Sequence, residues 1–369
     1  MSIDASEVNT RIRHRSPQDR IQGGSLPFIY VVGDTVPEVW HNLCLRCWNE
    51  GIRERTPKHQ EEFPLGFEAN VAYKIGFPLA EPRLHSSGCC DEPLGLVNYT
   101  LELVYGTHDH WVKPDTEKKP EEKGQLWHYT YHHRLTRICR GSMLTEVAPN
   151  VWEMVPFEAP QDELLENKIT DDWEKRQRFG RDYLLLTGIP EIDNLSDDSP
   201  CLQMIQFRLL QDYTQTDTWK LVWNFVFRSH DLFNGWPMNM FALSEYQRWW
   251  ALRLSRVLGL NIEPGEMNGL STSLHHYGSY FVKTGLAERL QIFSSKPWTD
   301  FAWPTEKFNM TPADVRRYYR IIAAQLDFER KTGQQKANPE HLAREGYDLD
   351  TYPYPSDWNQ LIWPKEFSE

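Results

Sequence analysis

The sequence predicts a mixed α/β or α+β fold, because strand-like and helix-like stretches are interleaved along its 369 residues. Apolar residues recur at helical spacing in 36–51, 94–106 and 240–258. Short apolar runs at 183–186 and 201–210 are typical of buried strands instead. A chain of this length can bury a substantial core, as one large domain or as two.

The first half of the chain contains two predicted helices around a strand region. The spacing predicts a helix from Val36 to Gly51, with Val39, Trp40, Leu43 and Cys47 on one face. Residues 65–79 alternate loosely and predict strands. The stretch 94–110 predicts a buried helix that stops at Gly106.

The second half begins with an acidic, irregular stretch, 141–180, predicted as an insertion with a helix near 160–177. A strand from Cys201 to Leu210 and an antiparallel return strand follow, and then a long apolar helix at 240–258. That helix should bury one face, formed by Leu243, Tyr246, Trp250, Leu254 and Val257. A last helix is expected after Thr311, which precedes Pro312.

The predicted domain organisation has three parts. Residues 1–26 are a polar arm, 27–295 a domain carrying an insertion at about 141–177, and 296–369 a C-terminal helix with an extension.

Composition narrows the class of protein. The net charge of −12 does not suit a nucleic acid partner, although a local basic pocket for one phosphate is compatible with it. No apolar run approaches the roughly 20 residues that span a bilayer, so no membrane association is expected. The polar N-terminal stretch has no apolar segment typical of a secretory signal. We therefore expect a cytoplasmic protein.

Cysteine and histidine clusters do not predict a metal site. The six cysteines are too few for a disulfide framework, and Cys44 and Cys47 fall at helical spacing, which favours helix packing over zinc or redox chemistry. Cys89 and Cys90 are predicted to lie in a loop. The histidines of WHYTYHH (127–133) lack a supporting carboxylate or cysteine spacing.

Three short strings carry residues suited to chemistry: SPCLQMIQF (199–207), FRSHDLFNGWPMNM (227–240) and SLHHY (273–277). Cys201 precedes a predicted strand and is a candidate nucleophile, the alternative being a buried core cysteine. Arg228 lies in the second string and is a cation able to favour a thiolate. Asn239 offers one acceptor and one donor side by side, which complements uracil, the alternative being a helix N-cap.

In order, spacing and residue type these strings resemble the thymidylate synthases and the related pyrimidine-nucleotide C5 hydroxymethylases. The resemblance is clear over 180–282, weaker over 37–134 and absent from both termini. It implies a large bent mixed sheet flanked by helices, with one sheet face at a homodimer interface. It also implies a pyrimidine nucleoside monophosphate as substrate and 5,10-methylenetetrahydrofolate as the one-carbon donor.

The resemblance assigns roles to twelve residues. Those implied in catalysis are the nucleophile, the general acid or base, the active-site tyrosine and the residue that contacts base and folate: Cys201, Glu102, Tyr129 and Asp231. Those implied in binding the phosphate, the base and the sugar hydroxyl are Arg55, Arg181, Arg228, Ser229, Gln206, Asn239, His275 and Tyr277. Arg181 would reach the phosphate across the dimer interface, which requires at least a dimer.

The chain departs from the family at two catalytic positions. Tyr99 stands where the family's essential glutamate is expected, with Glu102 one turn away, and Leu202 stands where the methylating members have a histidine. These departures suggest that the ordered water and the proton relay of the family are rearranged. Because the chain is so diverged and enlarged, we favour hydroxymethylation, with dUMP as the expected substrate and 5-hydroxymethyl-dUMP as the product. The alternatives are methylation by a divergent thymidylate synthase, a CMP or dCMP hydroxymethylase, and an inactive nucleotide-binding protein on the same fold.

Overall fold

Twelve strands and ten α-helices are present in the part of the chain that the structure, a computed structural model, describes: residues 26–54, 63–88, 92–113, 127–149, 151–196, 198–215, 217–335 and 338–363. The strands are β1 (Phe28–Gly33), β2 (Ile52–Glu54), β3 (Gly66–Ile75), β4 (Leu84–His85), β5 (Ile138–Ala148), β6 (Val151–Pro160), β7 (Tyr183–Leu186), β8 (Leu202–Gln211), β9 (Thr218–Phe227), β10 (His230–Asp231), β11 (Asn261–His276) and β12 (Ala302–Trp303). The helices are α1 (Val36–Glu50), α2 (Pro93–Tyr105), α3 (Tyr131–Leu135), α4 (Gln161–Arg176), α5 (Pro190–Asp193), α6 (Gly235–Leu258), α7 (Gly278–Lys283), α8 (Leu286–Ser295), α9 (Pro312–Thr332) and α10 (Pro339–Arg344).

Eight strands form one mixed sheet in the order β1-β3-β11-β9-β8-β7, with β2 added beside β3 and β10 beside β11. The pairs β1–β3 and β9–β11 are parallel, whereas β8 pairs antiparallel with both β9 and β7. Parallel neighbours need a crossover connection, and here the chain between them includes α1 in one case and α6 in the other. The predicted large mixed sheet with flanking helices is confirmed.

Helices cover one face of this sheet. α1 packs on β1 and β3, α6 packs on β11, and α2 packs on α6. The core between them is rich in tryptophan, and Trp40, Trp223, Trp236 and Trp250 are fully buried. On β1 the side chains alternate, so that Phe28, Tyr30 and Val32 point away from the core and are 67%, 59% and 51% exposed. At β1 the second sheet face is therefore apolar and is left exposed by the described part of the chain.

The long helices follow the predicted pattern. α1 and α2 both start with a proline in the first turn, and α2 ends at Gly106, whose φ of 61° is left-handed. α9 is capped by a reciprocal pair of hydrogen bonds between Thr311 and Asp314. Cys44 and Cys47 are buried on α1 as thiols, which confirms their predicted packing role.

Two predictions about individual elements were wrong. The first part of the stretch predicted as irregular, from 141 to 160, instead belongs to the hairpin of β5 and β6, which lies outside the main sheet and exposes most of its side chains. Val257 was assigned to the buried face of α6 but is 48% exposed. The predicted helix near 160–177 is confirmed as α4.

The C-terminal segment is held against the domain. Tyr319 of α9 donates to the carbonyl of Leu361, 3.3 Å away, and Trp363 donates to the carbonyl of Met310, 2.8 Å away. None of the described helices is long and apolar enough to cross a membrane.

Candidate active site

The register of the sheet brings the three strings together. β8 and β9 pair antiparallel with Leu202 opposite Phe227, so the residues just beyond them, Cys201 and Arg228, become neighbours. The backbone N–H of Arg228 donates to the carbonyl of Cys201 at 2.9 Å. β10 and β11 pair with Asp231 opposite His275, which joins the second string to the third. Residues as far apart in sequence as 201 and 275 thus meet at one end of the sheet.

Arg228 clamps the segment that leads into Cys201. Its Nε donates to the carbonyl of Pro200 at 3.0 Å, and its Nη2 donates to the carbonyl of Ser199 at 2.5 Å. A guanidinium has five N–H groups, so these two bonds leave others for a ligand. The side chain is exposed, and Ser229 beside it is half-buried. Arg228 therefore fixes its positive charge against the Ser199–Pro200 segment that leads into Cys201.

A cavity of about 530 Å³ opens next to this end of the sheet. Its volume lies in the range of small-molecule sites. It contains three of the predicted site residues, Glu102, Tyr129 and Asn239. The complete lining is Tyr99, Glu102, Trp127, His128, Tyr129, Thr130, Tyr131, Asp198, Gly235, Met238 and Asn239.

Cys201 adjoins the cavity wall through tyrosines. Tyr129 is hydrogen-bonded to the backbone of Cys201, and the hydroxyl of Tyr131 accepts a bond of 3.3 Å from the N–H of Leu202. Burial raises the pKa of both phenols, and the nearby Cys201 raises it further. Cys201 is half-buried rather than enclosed, and it lies beside the lining residues, not among them.

Asn239 lies on the cavity wall in the second turn of α6, with 8% of its surface exposed. The alternative role as an N-cap is wrong, because Asn234 holds the cap position and α6 starts at Gly235, before the predicted 240. Tyr99 donates a short hydrogen bond to Oδ1 of Asn239. Nδ2 of Asn239 lies 3.0 Å from Nε2 of His230. Both polar ends of the amide are therefore held from within the chain.

Glu102 lies on the same wall, one helical turn from Tyr99. Its Oε2 is 3.0 Å from Nδ1 of His108, which is buried. Burial, followed by the charge of Glu102, raises the pKa of Tyr99 well above its usual value. Tyr99 therefore stays protonated at neutral pH, and Glu102 is the carboxyl group that faces the cavity from α2.

Asp231 organises the turn into α6. Its Oδ1 accepts from the N–H groups of Phe233 at 3.0 Å and Asn234 at 3.4 Å, and its Oδ2 accepts from the hydroxyl of Tyr280 at 2.6 Å. Burial raises the pKa of this carboxyl against the effect of those bonds. Asp231 is not among the residues that line the cavity.

His275 and Tyr277 complete the end of the sheet. Nδ1 of His275 donates to the carbonyl of Ser273 at 3.2 Å, which leaves Nε2 as an acceptor. That Nε2 is buried and has no hydrogen-bond partner in the described part of the chain. Burial raises the pKa of Tyr277 to about 12, and the charges of Asp231, Cys201 and Arg228 all act on it. An unsatisfied buried acceptor at this position suits the hydroxyl of a ligand.

Two predicted binding residues lie elsewhere in the chain. Gln206 is five residues along β8 from Cys201, roughly 16 Å at about 3.3 Å per residue. It accepts from Nδ2 of Asn224 at 3.1 Å and donates to the carbonyl of Arg181 at 2.7 Å. Arg181 is therefore remote from Cys201 of its own chain. Arg55 lies outside the described residues.

The structure adds residues that the sequence did not single out. Tyr131 and His230 make direct contacts within the site, and Trp127 with His128 forms part of its wall. His230 stands inside the second string, and that position was the available signal. In the described residues no group of three histidines, cysteines or acidic residues could hold a metal ion.

Known proteins similar to this chain in sequence or structure include thymidylate synthases. No family model matches the chain. A protein of Methanococcoides burtonii described as "Putative thymidylate synthase" is 25% identical over 245 residues, which cover 66% of this chain and 87% of that relative. Thermostable thymidylate synthase A from Bacillus subtilis overlays 71% of this chain and 84% of its own with a TM-score of 0.44 at 15% identity. The expected resemblance to thymidylate synthases is confirmed by the sequence relative.

Proposed function

We propose that this chain transfers a one-carbon unit to C5 of a pyrimidine nucleoside 5′-monophosphate. The favoured reaction is hydroxymethylation of dUMP, with 5,10-methylenetetrahydrofolate as donor. The observation that carries this proposal is the adjacency of Cys201 and Arg228 beside a cavity that contains Asn239. The similarity to a relative described as "Putative thymidylate synthase" supports the same class of chemistry.

Cys201 supplies the nucleophile. C5 of a pyrimidine does not attack a one-carbon unit until a group adds to C6. The thiolate of Cys201 forms an S–C6 bond and shifts an electron pair towards C5, and the same bond breaks when the thiolate leaves. The positive charge of Arg228, fixed by the carbonyls of Ser199 and Pro200, favours the thiolate form.

The remaining residues orient the nucleotide. Arg228 has N–H groups left for a phosphate, and Ser229 adds a hydroxyl. Asn239 presents its amide to the base. Nε2 of His275, which has no hydrogen-bond partner among the described residues, accepts from a sugar hydroxyl, with Tyr277 beside it. Glu102, on the cavity wall, takes or returns the proton at C5.

The lining of the cavity supports a role for the folate as well as for the base. Trp127, His128 and Tyr129 provide aromatic surface on its wall, which suits a flat heteroaromatic ring. When bound, the folate supplies a one-carbon unit at the oxidation level of formaldehyde. Tyr129 and Asp231 are the residues of this chain proposed to orient the reacting groups.

Methylation is the second candidate, favoured by the description of the relative. Two features of this chain support hydroxymethylation instead: Leu202 is fully buried where a histidine was expected, and Tyr99 occupies the place of the glutamate. The ordered water and the proton relay of a methylating enzyme would therefore be rearranged.

The active unit is proposed to be a homodimer. The backbone of Arg181 lies against Gln206, which is roughly 16 Å along β8 from Cys201 of its own chain, and this separation favours a role for its guanidinium at the nucleotide of another chain. The exposed apolar side chains of β1 offer a surface for that association.

The test uses nucleotides labelled with tritium at C5, incubated with the protein and methylenetetrahydrofolate. Tritium release without a rise in dihydrofolate absorbance indicates hydroxymethylation, and release with that rise indicates methylation. Cys201→Ala should abolish release. Cys139→Ala is the matched control, because Cys139 lies on the β5–β6 hairpin and should be dispensable. Release from none of the pyrimidine monophosphates would favour the inactive nucleotide-binding alternative and reject the enzyme.

A further inference from the structure

His230 is a buried histidine that links the base-recognition residue to the sheet. It is 2% exposed, and its ring stacks on Phe227 with centroids 3.8 Å apart and an interplanar angle of 13°. Nε2 lies 3.0 Å from Nδ2 of Asn239, and Nδ1 lies 3.2 Å from Oγ of Ser271. Both ring nitrogens are thus engaged, one by the cavity wall and one by β11.

The partners define the protonation of the ring. A primary amide nitrogen only donates hydrogen bonds, so Nε2 of His230 must accept from Asn239 and cannot carry a proton. Nδ1 then carries the single proton of the neutral ring and donates to Ser271. Burial lowers the pKa of His230 well below its usual value, and His275 lowers it further, which keeps the ring neutral.

Tyr99 holds the other end of the same amide by donating to Oδ1 of Asn239. After these two bonds the amide keeps one lone pair on Oδ1 and one hydrogen on Nδ2 for a ligand. Uracil offers a donor at N3 and an acceptor at O4, whereas cytosine offers an acceptor at N3 and a donor at its amino group. The two bases therefore need opposite orientations of the amide of Asn239.

We propose that His230, acting with Tyr99, fixes the orientation of the Asn239 amide and thereby makes the site select uracil over cytosine. This inference rests on the proposed function, because it names a specificity determinant of the same site. His230 is a positioning residue and acts through Asn239. Reversing the amide would require the hydroxyl of Tyr99, the tautomer of His230 and the hydroxyl of Ser271 to reverse together.

The first test measures dissociation constants of dUMP and dCMP for the whole chain by titration calorimetry. His230→Phe keeps a ring against Phe227 but removes the acceptor, and His230→Gln restores an acceptor through its side-chain carbonyl. The preference for dUMP should fall about tenfold in the Phe variant, the effect of one neutral hydrogen bond, and should recover in the Gln variant. If His230 had only a structural role, its replacement would weaken the binding of dUMP and dCMP equally. An unchanged preference in a folded His230→Phe variant would overturn the inference.

The second test needs no ligand. Nitrogen-15 NMR of histidine-labelled protein reports which ring nitrogen of His230 carries the proton, and Ser271→Ala assigns the signal. A proton on Nδ1 is expected, with a shift of the Nε2 signal in Asn239→Ala. A proton on Nε2 would overturn the inference. If neither nucleotide bound to the unmodified chain, the proposed function would be rejected. The tautomer of His230 would still show whether His230 positions the amide of Asn239.

Discussion

Glu245 is the buried carboxylate on which the packing of α6 against the C-terminal segment depends. It is 0% exposed, and it accepts from Nη1 of Arg83 at 2.6 Å and from the N–H of Ile362 at 3.0 Å. Arg248 makes a further short contact with it. Arg83 is itself only 4% exposed, so the carboxylate neutralises a guanidinium that water hardly reaches.

We expect Glu245→Gln to destabilise the chain strongly. The side chain keeps its size but loses its charge, and one of its two acceptor atoms becomes a donor that faces other donors. Removing one partner of a buried ion pair typically lowers the free energy of unfolding by about 3–5 kcal/mol. This is a large share of a total that is usually about 5–15 kcal/mol.

Urea denaturation followed by tryptophan fluorescence measures this loss. The matched control is Glu263→Gln, which breaks the 2.5 Å contact with Lys220 at a side chain that is 42% exposed. An exposed pair contributes about 0–1 kcal/mol, so this control should stay near the unmodified chain. A loss below about 1 kcal/mol in Glu245→Gln would refute the argument from a buried ion pair.

The pH dependence of this difference has a defined sign. Burial alone would raise the pKa of Glu245, but the charges of Arg248 and Arg83 outweigh it, and the pKa in the folded chain is lowered. A carboxyl group with a lowered pKa stabilises the fold above its unfolded pKa, about 4.3, and loses that contribution as the pH falls through the folded value. The difference in free energy of unfolding between the unmodified chain and Glu245→Gln should therefore become smaller below about pH 4.3. If this difference stayed constant down to the pH of acid unfolding, the lowered pKa of Glu245 would be contradicted.

Three further predictions concern the site, the dimer and a helix cap. Glu102→Gln should lower tritium release about 100-fold or more while leaving the affinity for dUMP nearly unchanged, and full activity would place the general acid or base elsewhere. Tyr30→Glu puts a charge on the exposed face of β1 and should shift sedimentation towards monomer with loss of activity, whereas an unaltered dimer would exclude that face as the interface. Thr311→Ala removes the bond that its hydroxyl accepts from the N–H of Asp314 and should cost about 1 kcal/mol in urea denaturation, and no measurable change would show that packing and the remaining backbone bond hold α9.

Local signals explain which elements could be predicted from the sequence. α1, α2 and α9 combine helical spacing with a proline, a left-handed glycine or a capping pair, and all of these act within a few residues. The β5–β6 hairpin gave no such signal, because both of its faces are largely exposed and no alternation of apolar and polar residues is required. The start of α6 was predicted too late, because Pro237 was assigned to a turn before the helix. Proline is tolerated in the first turn, and α6 includes Pro237.

The site was predictable only where short strings carry it. Cys201 and Arg228 stand at the ends of paired strands, so a correct strand prediction already implies their adjacency. The bond from Tyr99 to Asn239 joins residues 140 positions apart and depends on how α2 packs against α6. No spacing in the sequence encodes such a contact. The sequence identified Tyr99 as the residue that replaces a glutamate, but only the structure shows that it contacts Asn239.

The groups on the cavity wall restrict how protons can move there under the proposed function. Tyr99, Tyr129 and Tyr131 all have a raised pKa caused first by burial, so at neutral pH they keep their protons and do not act as bases. The amide of Asn239 is held by its two neighbours and carries no transferable proton. Among the titratable groups on this wall, which also include Asp198 and His128, Glu102 is the carboxyl group proposed for proton transfer at C5, because it stands one helical turn from the position the family resemblance assigns to a glutamate. Nδ1 of His108 lies 3.0 Å behind it. Under the proposed function, this displaced carboxyl and the replacement of the expected glutamate by Tyr99 are the reasons for proposing a hydroxymethylated product.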